Sequence, residues 1–337
     1  MKTIDLENHF ATEAWLDALR GNPLGYPTYD DQKGLGFTAD AWFPLKAASE
    51  TRSQLLDLDD YRLGLMDKAG VDYAVLSLAA PGVEQLEVET GKKMARQTND
   101  ALAAAMARHP QRFGGFAALA PKDPEWSAQE LERCVKELGF TGWNTHSNFG
   151  DSYLDEEQYW PLLAKVEELG VPIYLHPTVP MIPQLREFGM VLGGPTFGFG
   201  VEVAYAFMRM IVRGVFDEFP RLKIIMGHFG EAFPFLVYRV DRAYMQNHAR
   251  PNPEVGEGSK EWASHYVLNN LWVTTSGNYL PAAFNCSRDG LGMDKITLGT
   301  DFPYEDMGEC MEFLASLPLS EQEKDMLYET NARGLGF

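Results

Sequence analysis

Eight short runs of β-forming residues, each followed by a segment of helical periodicity, constrain this 337-residue chain more than any other feature. The predicted strands cover residues 3–6, 73–78, 115–119, 140–145, 172–175, 223–226, 271–275 and 295–298. Some are continuous apolar runs, such as Ala74-Val75-Leu76 and Ile224-Ile225-Met226. Strands buried on both faces of a parallel sheet read this way. Between them, the segment 127–138 puts Leu131, Val135 and Leu138 on one helical face, and 155–169 does the same with Trp160, Leu163 and Val166. Alternating strand and helix implies right-handed parallel crossovers. Eight such units predict a closed α/β barrel, the (β/α)8 TIM fold, which needs about 250 residues plus insertions. A doubly wound open sheet is the alternative, but no GxGxxG follows the first strand, so its dinucleotide-binding version lacks support.

Three long insertions interrupt the repeat. Residues 21–58 carry Pro23, Pro27, Gly34, Gly36 and Pro44 among Tyr26, Tyr29, Phe37, Trp42 and Phe43. Residues 177–200 are rich in Gly and Pro, with Phe188, Phe197 and Phe199, and 248–259 is polar and proline-containing. Loops of this length in a compact domain usually serve function. We expect one domain over 1–337, with 21–58 as a lid-like insertion and 177–200 helping to cover the site.

Acidic residues outnumber basic ones 48 to 29, a net charge of -19. Such a chain repels phosphate backbones and anionic lipid surfaces, so neither nucleic acid nor membrane is an expected partner. No run approaches the roughly 20 apolar residues of a membrane span. The three cysteines are widely spaced and outside any CxxC, which suggests a reducing compartment. Met1-Lys2-Thr3 leads directly into a predicted strand, without a signal-peptide pattern. We expect a cytoplasmic protein.

Four of the seven histidines fall at or just past predicted strand ends: His9 in IDLENH, His146 in GWNTH, His176 in IYLHP and His228 in IIMGH. Asp301 ends the eighth strand in TLGTDFP. Barrel active sites lie at that rim. Glu7 and His9 are two apart, so in a strand both enter the mouth from one face. With His176 and Asp301 they make a mixed nitrogen and oxygen shell for one divalent ion, zinc or manganese. Residues 142–147 contain no lysine that could bridge a second metal, which argues for a single ion. Glu231, three residues beyond His228, can orient that imidazole as a general acid/base. His146, Phe199 and Phe302 are expected to contact substrate, the two phenylalanines by packing on a flat ring.

All of these residues but His146 lie in the segments LENHF, VPIYLHP, GPTFGFG, GVFDEFPRLKIIMGHFGE and GTDFPYE, and the chain also carries LSLAAPGV and TTSGN. Together they resemble the metal-dependent, non-oxidative decarboxylases of the amidohydrolase superfamily, the group of the dihydroxybenzoate and aminocarboxymuconate semialdehyde decarboxylases. The resemblance covers nearly the whole chain. It implies metal ligation by Glu7, His9, His176 and Asp301, proton delivery by Asp301, catalytic support from His228 and Glu231, and no organic cofactor. It also implies a homodimer or homotetramer in which Arg239 binds the carboxylate of a small aromatic acid in the neighbouring subunit's site. The chain departs from the dihydroxybenzoate enzymes at His146, where asparagine is expected. Hydrolysis or hydration of an ester, lactone, amide or unsaturated acid by the same shell is the competing expectation. A binding protein on an old barrel is the third.

Overall fold

The computed structural model describes residues 2–248 and 259–337; the polar segment expected between His248 and Ser259 lies outside them. Its main sheet has eight strands: β1 (Ile4–Phe10), β2 (Tyr73–Leu78), β3 (Phe113–Ala117), β4 (Gly142–His146), β5 (Ile173–His176), β6 (Ile224–Met226), β7 (Leu271–Thr274) and β8 (Ile296–Thr297). Each is hydrogen-bonded in parallel to the next in chain order. The sheet closes through Leu6 N–H to Leu298 O (2.9 Å), Asp301 N–H to Glu7 O (2.8 Å) and His9 N–H to Phe302 O (2.7 Å). This is the expected barrel.

Two packed regions follow from strand alternation. Ile4, Leu6, Val75, Phe116, Tyr174 and Ile225 fill the barrel interior, which Leu335 and Phe337 of the C-terminal segment close from one end. Residues of opposite parity, among them Leu76, Phe113, Leu175 and Ile224, pack outward against the helices. Helix boundaries follow local chemistry. The helix expected at 127–138 runs over Pro124–Lys136, because the Asp123 side chain caps Trp126 N–H and Pro124 suits the first turn. The helix expected at 155–169 begins at Trp160, after a 3₁₀ turn at Glu157–Tyr159.

The insertion 21–58 is better ordered than its composition suggests. It forms a small antiparallel sheet of Thr28–Asp30, Gly34–Thr38 and Ala41–Phe43, followed by the helix Glu50–Leu56. Tyr29, Leu35, Phe37, Ala41 and Leu55 join the main core. It touches the second insertion through Arg186–Asp40 (3.4 Å) and through the Phe37 and Phe199 rings, whose centroids are 6.2 Å apart. No helix among the described residues is long and apolar enough to cross a membrane.

Candidate active site

A β-bulge in β1 builds the centre of the site. The register against β2 shifts between Asp5 and Asn8. Strict alternation would send residues 4, 6 and 8 to one face, yet Ile4 and Leu6 fill the interior while Glu7 and His9 enter the mouth. An extra residue re-aims side chains in this way. The bulge is tied down by a buried polar network. Asn8 donates to Asp5 (2.9 Å), and Asp5 also accepts from Thr300 (2.6 Å). The fully buried Arg62 bonds Asn8 Oδ1 and donates to the carbonyls of His9 (2.7 Å) and Gln54 (2.7 Å).

Glu7, His9, His176, His228 and Asp301 converge there. His9 Nε2 lies 3.0 Å from Asp301 Oδ1, and His176 Nε2 is 3.8 Å from Glu7 Oε1. His228 Nε2 lies 3.9 Å from Glu7 Oε1 and 3.7 Å from Asp301 Oδ2. Donors of one shell, each about 2.1 Å from an ion, sit about 3.0–4.2 Å apart, so the spacing suits a single small divalent cation. Glu7 Oε1 and His176 Nε2 are also buried with no hydrogen-bond partner. Buried polar atoms are rarely left so, and both atoms point into this cluster. The residues therefore fit a metal. Ser77 Oγ holds His9 Nδ1 at 3.0 Å, and Thr274 donates to Glu7 Oε2. Such outer contacts fix the orientation of ligands. Gly227 and Gly299 flank Glu7: a Cβ on either would come within 2.8 Å and 2.7 Å of its carboxylate oxygens.

Burial, reinforced by His9, His146 and His228, pushes His176 well below the ordinary histidine range, favouring the neutral ligand form. Burial also raises Glu7, against the opposing pull of His228. For His228 burial works downward, but Glu231 and Asp301 outweigh it and the imidazolium is favoured. His228 Nδ1 pairs directly with Glu231 Oε1. His228, Phe229, Glu231, Ala232 and Asp301 hold left-handed φ values of 52–63°, and among the described residues no other non-glycine does. Strain of this kind persists only where the surroundings enforce it, commonly at functional sites.

The cluster opens into a cavity of about 800 Å³, within the usual range for small-molecule sites. Its walls include Leu35, Phe37 and Phe43 from the first insertion and Phe197 and Phe199 from the second. Phe199, expected to contact substrate, lines this cavity. Two expected substrate contacts need correction. Phe302 follows Asp301 but faces away; it is buried with its ring 5.0 Å beneath the Arg62 guanidinium and does not line the cavity. His146 is also buried behind the wall, bonded through Nδ1 to Glu84 (3.0 Å), its ring centroid 6.3 Å from that of His176. Arg239 lies outside the cavity on the exposed face of the helix Phe233–His248. It forms no ion pair among the described residues; Asp241 accepts from Ser264 N–H, and Glu231 serves His228. Sequence reasoning missed Asn278, Tyr304 and Glu305, which line the cavity just past β7 and β8. Their position at strand ends was the available signal.

The amidohydrolase family profile matches residues 4–335. A gamma-resorcylate decarboxylase of Polaromonas is 37% identical over 341 residues, spanning 98% of this chain and 97% of that one. Among solved structures, 5-carboxyvanillate decarboxylase of Novosphingobium aromaticivorans, complexed with manganese and 4-hydroxy-3-methoxy-5-nitrobenzoic acid, superposes with a TM-score of 0.89 at 31% identity, covering 99% of this chain and 95% of the other. Dihydroxybenzoic acid decarboxylase of Polaromonas, with bound manganese and 2-nitroresorcinol, gives a TM-score of 0.84 at 36% identity, covering 99% and 96%.

Proposed function

This chain belongs to the amidohydrolase family, and from that premise we propose that it is a carboxy-lyase: a metal-dependent, non-oxidative decarboxylase of a hydroxylated aromatic acid of the hydroxybenzoate type. The observation that carries the reading is the buried donor cluster, with Glu7 Oε1 and His176 Nε2 unpartnered, beneath an aromatic-walled cavity. We assign the ion to Glu7, His9, His176 and Asp301. The manganese in two related structures supports that metal over zinc. When bound, a divalent ion there supplies Lewis acidity and a template for the substrate carboxylate and its neighbouring hydroxyl.

The residues supply the proton chemistry. Direct loss of CO2 from an aromatic ring would leave an aryl anion, so the carboxyl-bearing carbon must gain a proton before the C–C bond breaks. Asp301 passes that proton to the ring carbon. His228, favoured as imidazolium and 3.7 Å away, resupplies Asp301, and Glu231 balances its charge. The C–C electron pair then returns to the ring, CO2 leaves and aromaticity is regained. The test is CO2 release from hydroxybenzoates by manganese-loaded protein, against the same protein after chelation. Release that requires the metal supports the reading. Hydrolysis products, or release that ignores the metal, would overturn it.

Phe199, paired with Phe37 across the two insertions, packs on the substrate ring. Such contacts contribute about 0.5–1.5 kcal/mol beyond area burial. Phe199→Ala is therefore expected to raise KM several-fold with little change in Tm; a large fall in Tm at constant KM would make it a core residue instead.

Arg239 acts in a neighbouring subunit. Its exposed guanidinium, without an ion pair among the described residues, lies beside Phe235 and Tyr238, which are 77% and 74% exposed, a face suited to a homodimer or homotetramer. There it grips the substrate's carboxylate. Mixing Arg239→Ala chains with His228→Ala chains should restore part of the activity, because one mixed site then has neither defect. No recovery despite proven subunit exchange would refute the arrangement. The cysteines are free, in keeping with the cytoplasmic location we propose.

A further inference from the structure

The cavity's polar groups divide unevenly. His9, His176, His228, Glu231 and Asp301 each have a partner or a place in the donor shell. Four polar side chains line the wall without a hydrogen bond or ion pair among the described residues: Thr196, Tyr304, Asn278 in the loop after β7, and the half-buried Glu305 in the loop after β8, which is the one carboxylate of the four. The Glu305 backbone is fixed, its N–H donating to Asp301 O (3.1 Å), so the carboxylate is carried by the same turn as a ligand of the shell. Burial first, and the Asp301 charge second, raise its pKa, as expected for a carboxylate that has lost water without gaining a donor. Among the described residues no lysine or arginine lines the cavity; apart from Thr196 and Tyr304, the rest of its wall is apolar, including Leu35, Phe37 and Leu236.

A carboxylate accepts hydrogen bonds and offers none when ionised, so the complement to Glu305 is a donor on the ligand. A second anionic group there would face Glu305 and Glu231, with the neighbouring subunit's Arg239 already matched by the reacting carboxylate, in a molecule already at -19. We propose that Glu305, in the same cavity wall as Asn278, is the specificity-determining acceptor for a second hydroxyl of the substrate, one not engaged at the metal shell, and that it excludes substrates bearing a second carboxylate. This rests on the decarboxylase reading and narrows it: the substrate is a polyhydroxylated monocarboxylic acid rather than a dicarboxylate. A site built to bond a hydroxyl discriminates strongly against the analogue lacking it, because its own buried group is then left unpaired.

The test uses manganese-loaded enzyme and three acids: 2,6-dihydroxybenzoate, 2-hydroxybenzoate and 4-hydroxyisophthalate. Wild type should favour the dihydroxy acid over the monohydroxy acid by roughly 10–100-fold in kcat/KM, the scale of one hydrogen bond to a charged group, and should turn over the dicarboxylate poorly. Glu305→Leu should reduce turnover of the dihydroxy acid while sparing 2-hydroxybenzoate, collapsing the ratio toward unity, and Glu305→Gln should restore part of it. An unchanged ratio, equal loss for both acids, or a wild type that prefers the dicarboxylate would overturn the proposal. If metal-loaded wild type releases CO2 from none of the acids, the decarboxylase reading fails separately. The proposal is then decided by calorimetric titration with resorcinol and phenol. Resorcinol binding roughly tenfold tighter in wild type but not in Glu305→Leu supports it, and equal affinities overturn it.

Discussion

Replacing His176 by alanine is expected to leave a folded barrel that no longer retains its metal. The imidazole closes the end of β5, where the strand's backbone bonds to β4 and β6 do not depend on the side chain. What the side chain adds is a neutral nitrogen donor aimed at Glu7, favoured as neutral by burial and by its histidine neighbours. Alanine would leave the Glu7 and Asp301 carboxylates to hold a divalent ion with one nitrogen fewer and an opened coordination position. Loss of an outer-shell contact alone costs roughly 10–100-fold in metal affinity, so loss of a ligand should cost at least roughly 100-fold. Dialysed protein should carry little metal by elemental analysis and release little CO2. Its Tm should match that of metal-free wild type, since ligand binding stabilises only the form that binds. Full occupancy in the variant would remove His176 from the shell.

Asp301→Asn should separate chemistry from binding. Asparagine keeps the size and one carbonyl oxygen, so the close contacts with His9 and His228 can survive in part. It cannot carry a proton to carbon, and it removes one of the groups that hold His228 as imidazolium. General acid catalysis contributes roughly 10²–10⁴ in rate, and kcat should fall on that scale. Metal content, measured alongside, should fall far less than in His176→Ala. A kcat within a factor of a few of wild type, with metal bound, would take the proton transfer away from Asp301.

The parts of this account that were legible in the sequence are those governed by periodicity. The buried apolar runs predicted each barrel strand within a few residues, because a strand covered on both faces tolerates little else. The strand-end histidines and Asp301 pointed to the rim for the same reason. Less was legible where long-range packing decides. Residues 21–58 read as a loop on their Gly and Pro content, yet Tyr29, Leu35 and Phe37 find buried partners and make a sheet of it. Phe302 read as a substrate contact by proximity to Asp301, but Arg62 claims its ring from the other side. His146 sits at a strand end like the other histidines, and only the distant Glu84 shows why it turns away from the cavity. Same-face spacing brought Glu7 and His9 together correctly. The bulge that turns both inward depends on Asp5, Asn8, Arg62 and Thr300, which no local pattern connects.

The central claim is that this barrel protonates the carbon that loses CO2, with its metal in place. The most direct measurement is a turnover in heavy water with manganese-loaded protein and a dihydroxybenzoate, following the product by NMR and the released CO2 in parallel. The account predicts deuterium at the carbon that carried the carboxylate, matched by an equal amount of CO2, and neither after chelation. A product that retains all the substrate carbon, or CO2 released at the same rate without metal, would contradict it.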